Sequence, residues 1–121
     1  MSTGWVGPPF ALKTSLIDIS ADNQLGSAID MEQYNYYAIT LPVMTGVAAM
    51  GFWGADDADG TFVEIKDESG TAVTIATTAS STTYSLDVAT MRYLLPFRFL
   101  KPKAGDAQAG DRTLTFRLRR D

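Results

Sequence analysis

Residues Thr113 to Arg120, Thr-Leu-Thr-Phe-Arg-Leu-Arg-Arg, place an apolar side chain at every second position. A period of two is the repeat of an extended chain, so Leu114, Phe116 and Leu118 form a core-facing row. Thr115, Arg117 and Arg119 form the solvent-facing row, mostly cationic. A strand with one dry face needs a second layer to cover it, which limits a chain of 121 residues to a few architectures.

The rest of the chain agrees with that constraint. Strand-like segments recur at Leu16 to Ile19, Tyr34 to Leu41, Val47 to Trp53, Thr61 to Lys66, Thr71 to Ala76, Thr82 to Leu86 and Met91 to Leu100. Asp59-Gly60 and Ser69-Gly70 are turn dipeptides, and a hairpin is expected to join Thr61–Lys66 to Thr71–Ala76. No segment keeps a helical period for three turns; Ser27 to Tyr34 has room for one short turn capped by Ser27 or Asp30. Ala76 to Thr83, small and hydroxyl-rich, reads as a strand end and a loose connection. The expected fold is all-β: an antiparallel β-sandwich, jelly-roll or immunoglobulin-like, of about eight strands.

Within Met91 to Leu100, alternation assigns Met91, Tyr93, Leu95, Phe97 and Phe99 to the core and turns Arg98 outward. Pro96 lacks a donor and places that strand at an edge or a bulge. Lys101-Pro102-Lys103-Ala104-Gly105 then reads as an exposed basic loop.

Residues 1–12 differ from everything after them. Gly4, Gly7 and Pro8-Pro9 stand among Trp5, Val6 and Phe10, a mixture that suits neither a helix nor the interior of a sheet, so the expectation is an extended N-terminal arm. Residues 13–121 are then a single sandwich domain. Burying each arm ring gains roughly 1.5–3 kcal/mol, which favours an arm laid along its own domain or a partner over a disordered leader.

Composition narrows the function. The chain has no Cys and no His, so Cys-His and Ser-His nucleophilic pairs, disulfides and the commonest zinc ligands are excluded. The expectation is a protein that is not an enzyme and takes no cofactor. No apolar run reaches the roughly 20 residues of a membrane span, and Met1 to Phe10 lacks the pattern of a signal peptide, which predicts a soluble protein made in a cytoplasm.

The net charge of −4 conceals a polarity: residues 1–91 hold 11 acids and 2 bases, residues 92–121 hold 8 bases and 3 acids. The bases lie on strand-like alternation interrupted by Asp106 and Asp111, which argues against nucleic acid and for an acidic surface on this fold or a neighbouring copy.

Two constellations have bland and sharp readings. Asp56-Asp57-Ala58-Asp59-Gly60, with Glu64 nearby, is an ordinary solvated turn or an oxygen-ligand set for calcium. Tyr34, Tyr36, Tyr37, Phe52 and Trp53 are core packing or a stacking platform for carbohydrate, although adjacent Tyr36 and Tyr37 must face opposite sides of a strand.

Four segments together resemble small structural proteins of tailed bacteriophages. They are Phe52-Trp53-Gly54-Ala55-Asp56-Asp57-Ala58-Asp59-Gly60-Thr61-Phe62, Asp67-Glu68-Ser69-Gly70-Thr71-Ala72-Val73-Thr74, Met91-Arg92-Tyr93-Leu94 and Gln108-Ala109-Gly110-Asp111-Arg112-Thr113-Leu114-Thr115. The resemblance covers about residues 45–119; the Pro-rich opening and the basic Phe97 to Lys103 stretch depart from it. It implies a β-sandwich on the virion, a capsid decoration or cement subunit on the capsid surface. The alternatives are a minor tail or neck component, or a carbohydrate-binding module.

The implied partners are the major capsid protein and further copies of the chain, as a homotrimer, with no nucleic acid, membrane or small-molecule substrate. Contact is expected through Trp5, Val6, Pro8, Pro9 and Phe10 in the arm. Arg98, Lys101, Lys103, Arg117 and Arg119 form either an electrostatic patch or a merely solvated face.

Overall fold

Strand β9 (Arg112–Arg119) obeys the alternation of its sequence: Leu114, Phe116 and Leu118 are buried, and Thr113, Arg117 and Arg119 are exposed. The computed structural model describes residues 8–18, 24–46, 49–75 and 79–120. In it β9 lies between β1 (Phe10–Ile17) and β3 (Tyr36–Thr40), antiparallel to both. With β7 (Thr83–Ser85) they form a four-stranded sheet in the order β1-β9-β3-β7.

The second sheet runs β2 (Ile29–Asp30), β8 (Phe99–Lys103), β4 (Met50–Ala55), β5 (Val63–Glu64). Strand β6 (Thr74–Ile75) shares the free side of β4 with β5, pairing Met50 and Gly51 where β5 pairs Trp53 and Gly54. The protein is thus nearly all-β, two antiparallel sheets packed as a sandwich, as the alternating strands require. Tyr37, Ile39, Leu114 and Phe116 of the first sheet share one buried cluster with Met50, Phe52 and Leu100 of the second.

The expected hairpin forms around Asp67. Its Oδ1 accepts from the backbone N–H groups of Ser69 and Thr71, and Gly70 takes the left-handed conformation at φ 82° that closes the turn. Val73 N donates to Ile65 O at 3.0 Å. The regular strands are short because each arm of the hairpin pairs with a different half of β4.

Met91 to Leu100 corrects the sequence reading. It is not one strand: helix α1 (Val88–Leu94) precedes a turn at Leu95-Pro96, and β8 starts at Phe99. Asp87 caps the helix, its Oδ1 accepting from Thr90 N at 2.8 Å. Met91 and Leu94 are buried at helical spacing, whereas Leu95, expected inside, is 42% exposed. Tyr93 and Phe97 only pack partly against the core, and Phe99 is half-buried.

The basic loop expected at Lys101 to Gly105 is likewise strand as far as Lys103, with Pro102 buried. Pro102 O accepts from Gly26 N at 2.7 Å, so the missing proline donor faces residues 24–26 and leaves the ladder with β4 intact. In place of a helical turn, Ser27 to Tyr34 holds β2 and a turn at Glu32-Gln33, where Asp30 Oδ1 accepts from Glu32 N.

Strand β1 begins at Phe10, so residues 10–12 of the expected arm belong to the sheet. Pro8 O accepts from the Tyr34 hydroxyl and Pro9 O from Arg120 N, each at 3.0 Å, which fastens the approach to β1 onto the domain. Trp5 and Val6 lie outside the described residues.

Candidate binding surface

The outer face of the first sheet follows from its register. One row reads Phe10, Arg119, Tyr36 and the next Leu12, Arg117, Ala38, Ser85. Phe10, Leu12 and Tyr36 are 59%, 66% and 45% exposed, although burying such side chains is the ordinary drive of folding. The Arg119 guanidinium sits 5.1 Å from the centre of the Phe10 ring, and Arg117 Nε donates to Thr40 Oγ1 at 2.9 Å. No acidic side chain projects from the outward positions of β1, β9, β3 or β7.

Tyr36 also borders a groove of about 250 Å³ between the sheet and α1. Leu86 and Met91, both buried, line it together with the exposed Val88 and Leu95. Apolar surface with cationic groups set into it is suited to a partner that offers apolar side chains and carboxylates together.

The remaining predicted bases lie elsewhere. Lys101 and Lys103 project from the outer face of the second sheet, where Lys101 Nζ is 4.3 Å from the centre of the Phe62 ring and Lys103 Nζ is 5.8 Å from that of Trp53. Arg98 precedes β8 and grips Asp30 through Nε and Nη2. The hydrogen bond from Arg98 holds the Asp30 carboxyl below its ordinary range, against partial burial. The structure therefore divides the five expected bases between the two outer faces of the sandwich. Arg117 and Arg119 share one with Phe10, while Arg98, Lys101 and Lys103 stand with the other sheet.

The aromatic cluster does not form one platform. Tyr34, Tyr37 and Phe52 are buried, and burial pushes the Tyr37 phenol up to about 12. Tyr36 and Trp53 lie on different sheets. Asp56 to Gly60 is an exposed turn closed by Gly60 N to Asp57 O at 3.0 Å, and no three carboxylates converge on a metal position among the described residues.

Sequence reasoning missed Leu12, Val88 and Leu95 as contact residues, and named Tyr36 only as part of a carbohydrate platform. A signal existed for Leu12: Phe10, Leu12 and Leu16 alternate on one side of β1 and are more apolar than the opposite row.

No protein-family model matches the chain, and no curated protein does. Among solved structures the fold is similar to that of the SPBc2 prophage-derived protein YomS, at a TM-score of 0.51 and 9% sequence identity. The superposition covers 95% of this chain and 98% of that one, so it takes in both sheets and establishes a shared fold.

Proposed function

We propose that this chain is a non-enzymatic structural protein of a phage particle, a decoration or cement subunit that binds the major capsid protein at the capsid surface. The observation that carries the reading is the outer face of the first sheet. There Phe10, Leu12 and Tyr36 expose large apolar groups beside Arg117 and Arg119, on strands that carry no outward acid. The likeness of fold to a prophage-derived protein supports it.

Mechanically, such a subunit works by contact area. Burial of the apolar side chains supplies affinity, and the two guanidinium groups select a surface that presents carboxylates.

Co-sedimentation with empty, undecorated shells tests the reading. The expected result is pelleting with the shells at low salt that weakens as salt screens the arginines. Absence of pelleting at low salt and excess protein removes the decoration role.

A further inference from the structure

Strand β1 turns its more apolar row away from the core. Phe10, Leu12, Thr14 and Leu16 are exposed, while Ala11, Lys13, Ser15 and Ile17 face inward. A slip of one residue would exchange the two rows, and pairing with β9 along the whole strand holds the less obvious choice. Keeping Phe10 and Leu12 wet makes sense in a strand that has a second neighbour.

The backbone has room for that neighbour, because β1 is an edge strand. Pro9 O accepts from Arg120 N, so odd-numbered residues direct their N–H and C=O groups to β9 and even-numbered ones to the open side. At Leu16 the open side is filled, since its N–H donates to Ser27 Oγ and its carbonyl accepts from Ser27 N, both at 3.0 Å. No described residue takes that place along Phe10, Leu12 and Thr14. Lys13, the one charged residue of β1, points inward and is bound to Glu32 and to the Asp30 carbonyl, so its charge is matched before a second strand arrives.

We infer that β1 pairs antiparallel with β1 of a second copy of this chain, about a two-fold axis at Leu12. The register follows from the free groups. Only the alignment that sets Leu12 opposite Leu12 and Phe10 opposite Thr14 uses all three open residues of both chains. Sliding toward Leu16 meets Ser27, and sliding the other way meets Pro8, which has no N–H to give.

In this register no like charges stand opposite each other. Lys13 faces Ala11 on the inner side, and on the outer side Arg117 is one strand back from the Leu12 pair. The two four-stranded sheets become one continuous sheet, and the exposed Phe10 and Leu12 rows meet at the seam. An isologous pair closes on itself and yields a dimer in place of the homotrimer that the phage resemblance implies.

Sedimentation equilibrium of the full chain over a range of concentrations is expected to give a monomer–dimer equilibrium. Leu12→Lys should raise the dissociation constant about tenfold or more, by placing two ammonium groups across the axis, and leave the circular dichroism unchanged; at low protein concentration, where both chains are monomers, the melting temperature should fall only slightly, from the new neighbour Arg117. Because the chain has no Cys, Leu12→Cys can link only to itself. Directly paired residues lie about 5.5 Å apart between Cα atoms, within disulfide reach, so mild oxidation should trap a covalent dimer. Leu16→Cys, exposed on the same row but set opposite Pro8 in this register and so several residues from its own copy, should not be trapped.

A monomer at every concentration overturns the inference, as does a trimer, or a dimer that ignores Leu12→Lys and resists trapping at Leu12. The virion reading is tested separately. A monomer that pellets with shells overturns the dimer alone, whereas a dimer trapped at Leu12 that ignores shells overturns the decoration role alone.

Discussion

Asp30 and Arg98 are joined by two parallel hydrogen bonds, Nε to Oδ1 and Nη2 to Oδ2, each 3.0 Å. The pair ties the end of β2 to the entry of β8, and it joins an acid from the acidic part of the chain to a base from the basic part. Its pH dependence has a definite sign. The folded Asp30 carboxyl titrates below 3.8, so its contribution is complete above that pH and is lost as pH falls through the lower folded value. Asp30→Asn should therefore lower the melting temperature at pH 7, and the gap to the parent chain should narrow as the pH is taken below 3.8, as measured by scanning calorimetry across that range.

Gly26 lies where β1 approaches β8. A Cβ at this position would stand 2.2 Å from Ser15 Oγ and 2.9 Å from Pro102 Cγ, and Ser15 is fully buried with its hydroxyl on Ser27 O at 2.7 Å. Gly26→Ala should cost about 1–3 kcal/mol by overpacking. Adding Ser15→Ala removes the nearer obstacle, so the double variant should be more stable than the sum of the single changes predicts, as read from urea unfolding of the four proteins.

Strand β9 and the run Met91 to Leu100 differ in how much their sequence discloses. Strand β9 was legible because its period and its environment agree: it is central, one face is buried, and Leu114, Phe116 and Leu118 are the residues that fill it. Met91 to Leu100 was not, because a short alternating run also satisfies a single helical turn followed by a strand. The deciding signal was Asp87, four residues upstream of Met91, which stabilises the first turn by accepting from Thr90 N. Strand β1 hid its role for a third reason, since its apolar row is the one left outside. The candidate surface was accordingly found only in part: Phe10, Arg117 and Arg119 were named from sequence, while their neighbours Leu12 and Tyr36 became visible once the register of three strands was known.

The cap gives a direct check on that account. Asp87→Ala should lower the melting temperature and weaken the helical signal in circular dichroism, whereas Asp87→Ser, which still offers a side-chain oxygen, should keep most of both. Equal losses from the two substitutions would count against a capped helix at Val88–Leu94.

Core and surface positions of adjacent strands should separate cleanly in stability. Phe116 is fully buried between the sheets, and Phe116→Ala should cost about 3–5 kcal/mol, enough to unfold much of the population of a small domain. Leu12→Ala, at a side chain 66% exposed, should change monomer stability by less than about 0.5 kcal/mol in urea unfolding at low protein concentration.

The division of the bases between two faces makes the shell-binding reading testable by charge reversal. Arg117→Glu with Arg119→Glu places carboxylates on the apolar face of the first sheet, while Lys101→Glu with Lys103→Glu does the same on the other side of the sandwich. If the first face docks on an acidic shell surface, the arginine pair should lower affinity for undecorated shells at least about tenfold at low salt, since like charges now meet across the contact. The lysine pair should leave affinity within about twofold of the parent, because rim or remote charges change binding little. Pelleting assays at two salt concentrations, with melting curves to confirm that each variant is folded, decide between the faces. Loss confined to the lysine pair would transfer the docking role to the second sheet and to the row of Phe62, Trp53 and Phe99 that its cations overlie.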